Sequence, residues 1–220
     1  MIYPKINSRL FVKNRQRFNK QLKPNSIAIF NSNDVMPTSA DGNHPFVQQT
    51  DIFYLSGIDQ EETVLVICPD APGKKQREIL FVRETNEQIA TWEGHKFTKA
   101  EAQEISGIQS VHWTKEMDTL LRPLIIESEH IYLNTNEHLR APDIVETRDM
   151  RFLRWCRQTF PLHHYERVAP IMNKLRAVKS PAEIELIKSA VGITEKAFRR
   201  LLGFINPGVW EYEIEAEIVH

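Results

Sequence analysis

The run ETVLVICP limits the folding options most. Val64 to Cys68 is continuously apolar and is closed by Pro69, which makes it the clearest strand in the chain. It has company. SIAIF (Ser26 to Phe30) reads as a short buried strand, and EILFVR, SVHW and HIYLN read as further strands. DIFYLSG, aromatic and closed by Gly57, is read as strand-like too, so the first half resembles a meander. Helical patterns are interspersed. A basic amphipathic helix is expected over Ser8 to Leu22, ended by Lys23-Pro24-Asn25. Thr98 with Glu101 three residues on forms a capping box for a helix to about Ile105. Lys115 to about Glu127 places Met117, Leu120, Leu121 and Leu124 inward, and Asp143 to about Phe160 carries Phe152, Leu153 and Cys156. The mixture predicts an α/β fold, a mixed β-sheet flanked by helices, over residues 1–172.

From about Val168 the character changes, and residues 173–220 form a second unit. Ser180-Pro181-Ala182-Glu183 combines a capping box with proline at the first helical position, and Ile184, Ile187 and Val191 follow at helical spacing to about Phe204. After Asn206-Pro207-Gly208 a last helix begins, with Trp210, Ile214 and Ile218 on one face. Glu211, Glu213 and Glu215 suit its N-terminus. No Gly, Asn or Pro stops this helix before His220, so the chain reads as ending inside it. Two helices cannot enclose a core alone, which implies that they pack on something else.

Charge excludes some functions. With 28 basic and 29 acidic residues, there is no electrostatic case for nucleic acid or an anionic membrane. No apolar run reaches membrane-spanning length, and MIYPKINSRLF lacks a signal-peptide core. Cys68 and Cys156 are far apart, which favours reduced, structural thiols and a cytoplasmic setting. GxSxG, P-loop, GxGxxG and HExxH patterns are absent. Asp41-Gly-Asn-His44, with Asp51 further on, is the nearest metal candidate, and solvated turn residues are the plainer reading. His163 and His164 are adjacent, so in a strand they point to opposite faces and do not chelate one ion. The loop Asn31 to Thr50 is long for a compact domain, which fits either a functional loop or a flexible surface excursion. Trp92, beside Gly94, is either a ligand platform or a packing residue.

Two stretches carry a family resemblance. SADGNHPFVQQTDIFYLSGIDQEETVLVI resembles the N-terminal domain of aminopeptidase P, the Xaa-Pro aminopeptidases. LRAVKSPAEIELIKSAVGITEKAF and NPGVWEYEIEAEI resemble the first two helices of that family's pita-bread catalytic domain. The resemblance implies a creatinase-type N-terminal domain followed by a truncated catalytic domain. It implies a metallo-aminopeptidase that removes the residue before proline using two divalent ions, usually manganese. All five metal ligands of the family lie downstream of the last matched helix, so none maps here. The resemblance implies a proline-containing peptide as substrate and a homo-oligomer. Asp41 and Trp92 match site-lining positions, with His44 and Tyr54 as weaker candidates for facing the substrate. Asp41 could equally stabilise the turn before Gly42, and Trp92 could pack at an interface. One departure stands out: Val47 precedes Gln48-Gln49 where close family members often have arginine, which puts substrate preference in doubt. Two alternatives remain open: a non-catalytic peptide- or protein-binding module, and a prolidase- or creatinase-type relative.

Overall fold

The computed structural model describes residues 5–137 and 144–219. The expected helix start at Asp143 and the chain end at His220 lie outside these. The chain divides into two compact units, Met1–Leu175 and Arg176–His220.

The first unit is built on a six-stranded mixed sheet. Its strands are β1 (Ser26–Asn31), β4 (Val64–Ile67), β5 (Glu78–Val82), β6 (Ser110–Trp113), β7 (His130–Leu133) and β8 (His164–Arg167), in the order β6-β5-β4-β1-β7-β8. β1 pairs antiparallel with β4 and parallel with β7. β4 and β5 are antiparallel, while β5–β6 and β7–β8 are parallel. The meander is therefore confined to β1, β4 and β5. Both faces of the central strands are covered, which is why β1, β4 and β5 read as apolar runs, whereas the edge strand β8 (HYER) does not. Ala28, Phe30, Leu65, Ile67, Leu80 and Val82 point into one core. There they meet Phe18 of α1 (Arg9–Asn19) and Ala102 of α4 (Lys99–Ser106). Ile27, Ile29, Val64, Val66, Ile79 and Phe81 point into the other. That core is closed by Leu121, Leu124 and Ile125 of α5 (Met117–Glu127) and Cys156 of α6 (Arg148–Thr159). Cys68 and Cys156 are buried free thiols.

Three expectations need correction. DIFYLSG is not a strand but α2 (Thr50–Ser56). The Gln49 side chain accepts the Asp51 and Ile52 amides at 2.7 and 3.0 Å, so a glutamine caps the helix where Ser, Thr or Asp would signal it. Ile52 and Leu55, three apart, then reach one core, and Gly57 closes the helix at φ 72°. Second, α6 begins at Arg148, capped by Thr147. Third, α7 (Ala169–Ala177) falls where only a change of character was read. Its Met172 and Leu175 are buried in the first core, and the sequence boundary at 172/173 lies inside it. The long loop holds a small hairpin of β2 (Pro37–Ser39) and β3 (Gly42–Asn43).

Arg15 ties the first unit together. It is 0% exposed, and its Nη1 donates to the carbonyls of Leu55 (2.7 Å) and Ser106 (3.0 Å), while Nε donates to Glu78 Oε2 at 2.9 Å. Leu55 and Ser106 close two helices that each end Ser-Gly-Ile, so the cation sits at two negative helix ends.

The second unit consists of α8 (Pro181–Phe204) and α9 (Glu211–Val219). The capping box is formed: Ser180 N donates to Glu183 Oε2 at 2.8 Å, and Glu183 N to Ser180 Oγ at 3.4 Å. No described residue of either helix is fully buried, and Val191, Phe198, Leu202, Trp210 and Ile218 are exposed.

Candidate functional site

Ligand sites in open α/β sheets form beyond the carboxyl ends of strands, where the connections diverge. Here that place is the end of β1, flanked by an antiparallel neighbour on one side and a parallel one on the other. The chain becomes polar there. Asn31 closes β1, Ser32, Asn33 and Asp34 follow, and Asn134 follows β7.

These side chains form a connected layer. Asn31 Nδ2 donates to Asp149 Oδ1 at 2.9 Å, and Asn134 Nδ2 to Asp51 Oδ2 at 3.0 Å. Arg148 Nη1 donates to Ser32 Oγ at 2.8 Å. Arg151 pairs with Asp34 at 2.7 Å, and Arg154 pairs with Glu146. Burial pushes the Asp149 carboxyl up to about 6, against the opposing pull of Asn31 and Arg148. Burial also lowers the pKa of the Arg148 guanidinium, opposed by Asp34, Glu62 and Asp149.

Above this layer lies a groove of about 350 Å³ between the Asn33–Val47 loop and the Val145–Arg148 segment. Met36, Pro45, Val47 and Val145 give it apolar walls, and Asn33, Asp34 and Arg148 supply polar edges. Two contacts shape the loop over it. Asn33 Nδ2 donates to the Val47 carbonyl at 2.9 Å, and His44 N to the Met36 carbonyl at 2.9 Å. Gln48 anchors the far end, with Nε2 on the carbonyls of Ile58 (3.0 Å) and Gln60 (2.8 Å). The glutamine of the family pattern thus serves the backbone here.

The four residues singled out in the sequence do not converge. His44 lines the groove. Asp41 is exposed in the two-residue turn between Ser39 and Gly42. Trp92 is 83% exposed on α3 (Glu87–Glu93), a helix capped by Asn86 and tied through Glu93 to Arg83 at 2.5 Å. Tyr54 sits in helix packing: its hydroxyl donates to Leu175 O at 3.3 Å and accepts from Arg17 Nη1 at 3.2 Å. His163 and His164 diverge as expected of neighbours. His163 Nε2 lies 3.0 Å from Ile125 O, whereas the His164 ring stands 5.4 Å from that of His130. Among the described residues, no group of three or more His, Cys, Asp or Glu is placed to hold a metal ion. Arg148, Asp149 and Val145 escaped the sequence reading. Their signal was the helix start, Thr147 followed by Asp149, set beside the polar run after SIAIF.

The family profile described as "Aminopeptidase P, N-terminal domain" matches residues 11–132. The chain belongs to this family. It is 28% identical over 217 residues to the Xaa-Pro aminopeptidase of Escherichia coli, covering 98% of this chain and 49% of that protein. A solved Bacillus anthracis structure, proposed to be an aminopeptidase P, superposes with a TM-score of 0.85 at 26% identity, covering 97% of this chain and 51% of that one. Zinc-substituted E. coli aminopeptidase P in complex with product matches with a TM-score of 0.77 at 27% identity, covering 99% of this chain and 49% of that one. The chain spans about half the length of the relatives it matches. The aminopeptidase P fold accounts for the mixed sheet flanked by helices. No helix among the described residues is long and apolar enough to cross a membrane.

Proposed function

We propose that this chain is the N-terminal portion of a Xaa-Pro aminopeptidase, a metal-dependent enzyme that removes the first residue of peptides with proline second. The observation that carries the reading is the match of nearly the whole chain to about half of the E. coli enzyme. In this reading the chemistry belongs to two divalent ions, manganese by preference, held downstream of α9. Such ions activate a water and stabilise the oxyanion when bound.

This chain's own contribution is to shape access. His44, with Asp41 on the neighbouring turn, borders the groove end of the first unit. Trp92, an exposed aromatic on a short helix, offers an apolar plate to a peptide or to a second subunit. Tyr54 acts indirectly, by holding α1, α2 and α7 in register. A cytoplasmic homo-oligomer completes the proposal.

The test compares the full natural gene product with residues 1–220 on a Xaa-Pro peptide, with and without chelator. The full product is expected to hydrolyse it, to lose activity on chelation and to regain it with manganese. The 220-residue chain is expected to be inactive. Turnover by the chain alone, or none by the metal-loaded full product, overturns the proposal.

A further inference from the structure

The groove beside the carboxyl end of β1 is lined by a cation, Arg148, that makes no direct ion pair among the described residues. Asp34 and Glu146 on its rim are engaged by Arg151 and Arg154. Arg148, which is only partly exposed, has a single hydrogen bond among the described residues, from Nη1 to Ser32 Oγ. No described carboxylate lies within ion-pairing distance of it; Asp34, Glu62 and Asp149 act on it from further away. A guanidinium carries five donors, and among the described residues only Nη1 of Arg148, a residue that lines the groove, is engaged. Desolvating a cation without a partner is costly, and a bound anion offsets that cost.

The remaining lining selects the kind of anion. Met36, Pro45, Val47 and Val145 present apolar surface, and Val47 is 71% exposed. A single guanidinium balances one unit of negative charge, so a monoanion suits it better than a phosphate dianion. A planar carboxylate matches the guanidinium fork in two parallel bonds. We propose that this groove is a carboxylate-binding site for small molecules with an apolar body, of the acylated amino acid or short hydrophobic peptide class, anchored by Arg148. The proposal stands on the groove alone and does not depend on the peptidase reading.

The probe is N-acetyl-leucine, compared with its uncharged amide, N-acetyl-leucinamide. Each is titrated into the 220-residue chain while backbone amide shifts are followed by NMR. The acid is expected to shift the signals of Ser32, Met36, Val47 and Arg148, and to bind about tenfold or more tightly than the amide, the advantage of a charge-assisted pair. Arg148→Gln keeps a donor for Ser32 and should bring the acid down to the amide's affinity. Val47→Glu, at an exposed position, leaves the fold undisturbed and should weaken the acid several-fold while weakening the amide far less. Equal affinity for acid and amide, shifts centred elsewhere, or unchanged acid binding in both variants overturns the proposal.

Discussion

Asp149→Asn is the most direct probe of the polar layer under the groove. Asp149 lies in the first turn of α6, and burial raises its pKa from the ordinary 3.8 to about 6. The folded protein therefore holds this proton more tightly than the unfolded chain does. The stability it contributes is fully present below the ordinary value and is lost as pH rises through the folded one. A displacement of this size corresponds to about 3 kcal/mol at ~1.4 kcal/mol per unit. The helix N-terminus favours the carboxylate, which makes about 3 kcal/mol the upper bound. An asparagine oxygen still accepts from Asn31 Nδ2 and does not titrate. The assay is urea unfolding of both proteins at about pH 4 and about pH 7, followed through the NMR amide signals of Ile29 and Val66 in the central strands. Relative to the variant, the natural protein should lose about 2 to 3 kcal/mol between these conditions. A flat difference, or a natural protein that gains on the variant as pH rises, refutes the reasoning.

The other predictions concern the fold. Arg15→Met leaves the Leu55 and Ser106 carbonyls and Glu78 without their donor, and Glu78 remains open enough to be rehydrated. The loss should be about 3 kcal/mol in the same urea assay, the low end for a broken buried pair. At Gly57, φ is 72° and an added Cβ would meet the Phe11 ring at 2.3 Å, so Gly57→Ala should cost at least about 2 kcal/mol. Simultaneous Phe11→Leu should recover part of this, leaving the backbone contribution. Ser180→Ala removes a formed capping box, and hydrogen exchange in the first turn of α8 should quicken by roughly a factor of five, about 1 kcal/mol.

The strands buried on both faces were legible because sheet position and apolar run coincide, as in SIAIF and ETVLVI. The capping boxes at Thr98 and Ser180 were legible because two side chains three apart satisfy each other's backbone amides. DIFYLSG was misread because its β-favouring composition outweighed a glutamine cap that sequence rules rank poorly. α7 was hidden because no Ser, Thr, Asp or Asn stands before Ala169 as a cap to accompany Pro170 in its first turn. Of the groove, His44 and the loop stand out in the sequence. Arg148 does not, because its significance comes from which acids are engaged elsewhere, and the Arg151–Asp34 pair joins residues 117 positions apart.

The buried Arg15 also sets an order of events during synthesis. Its three acceptors lie 40, 63 and 91 positions further along the chain. A ribosome that has delivered only α1 and β1 has released a cation whose native environment does not yet exist. Contacts this distant in sequence form late, after the loops between them have closed. β1 likewise waits for His130 to Leu133 before its second edge is paired. The first unit is thus a fold that stays open through most of its own translation, and a nascent chain halted before Ser106 should be protease-sensitive throughout.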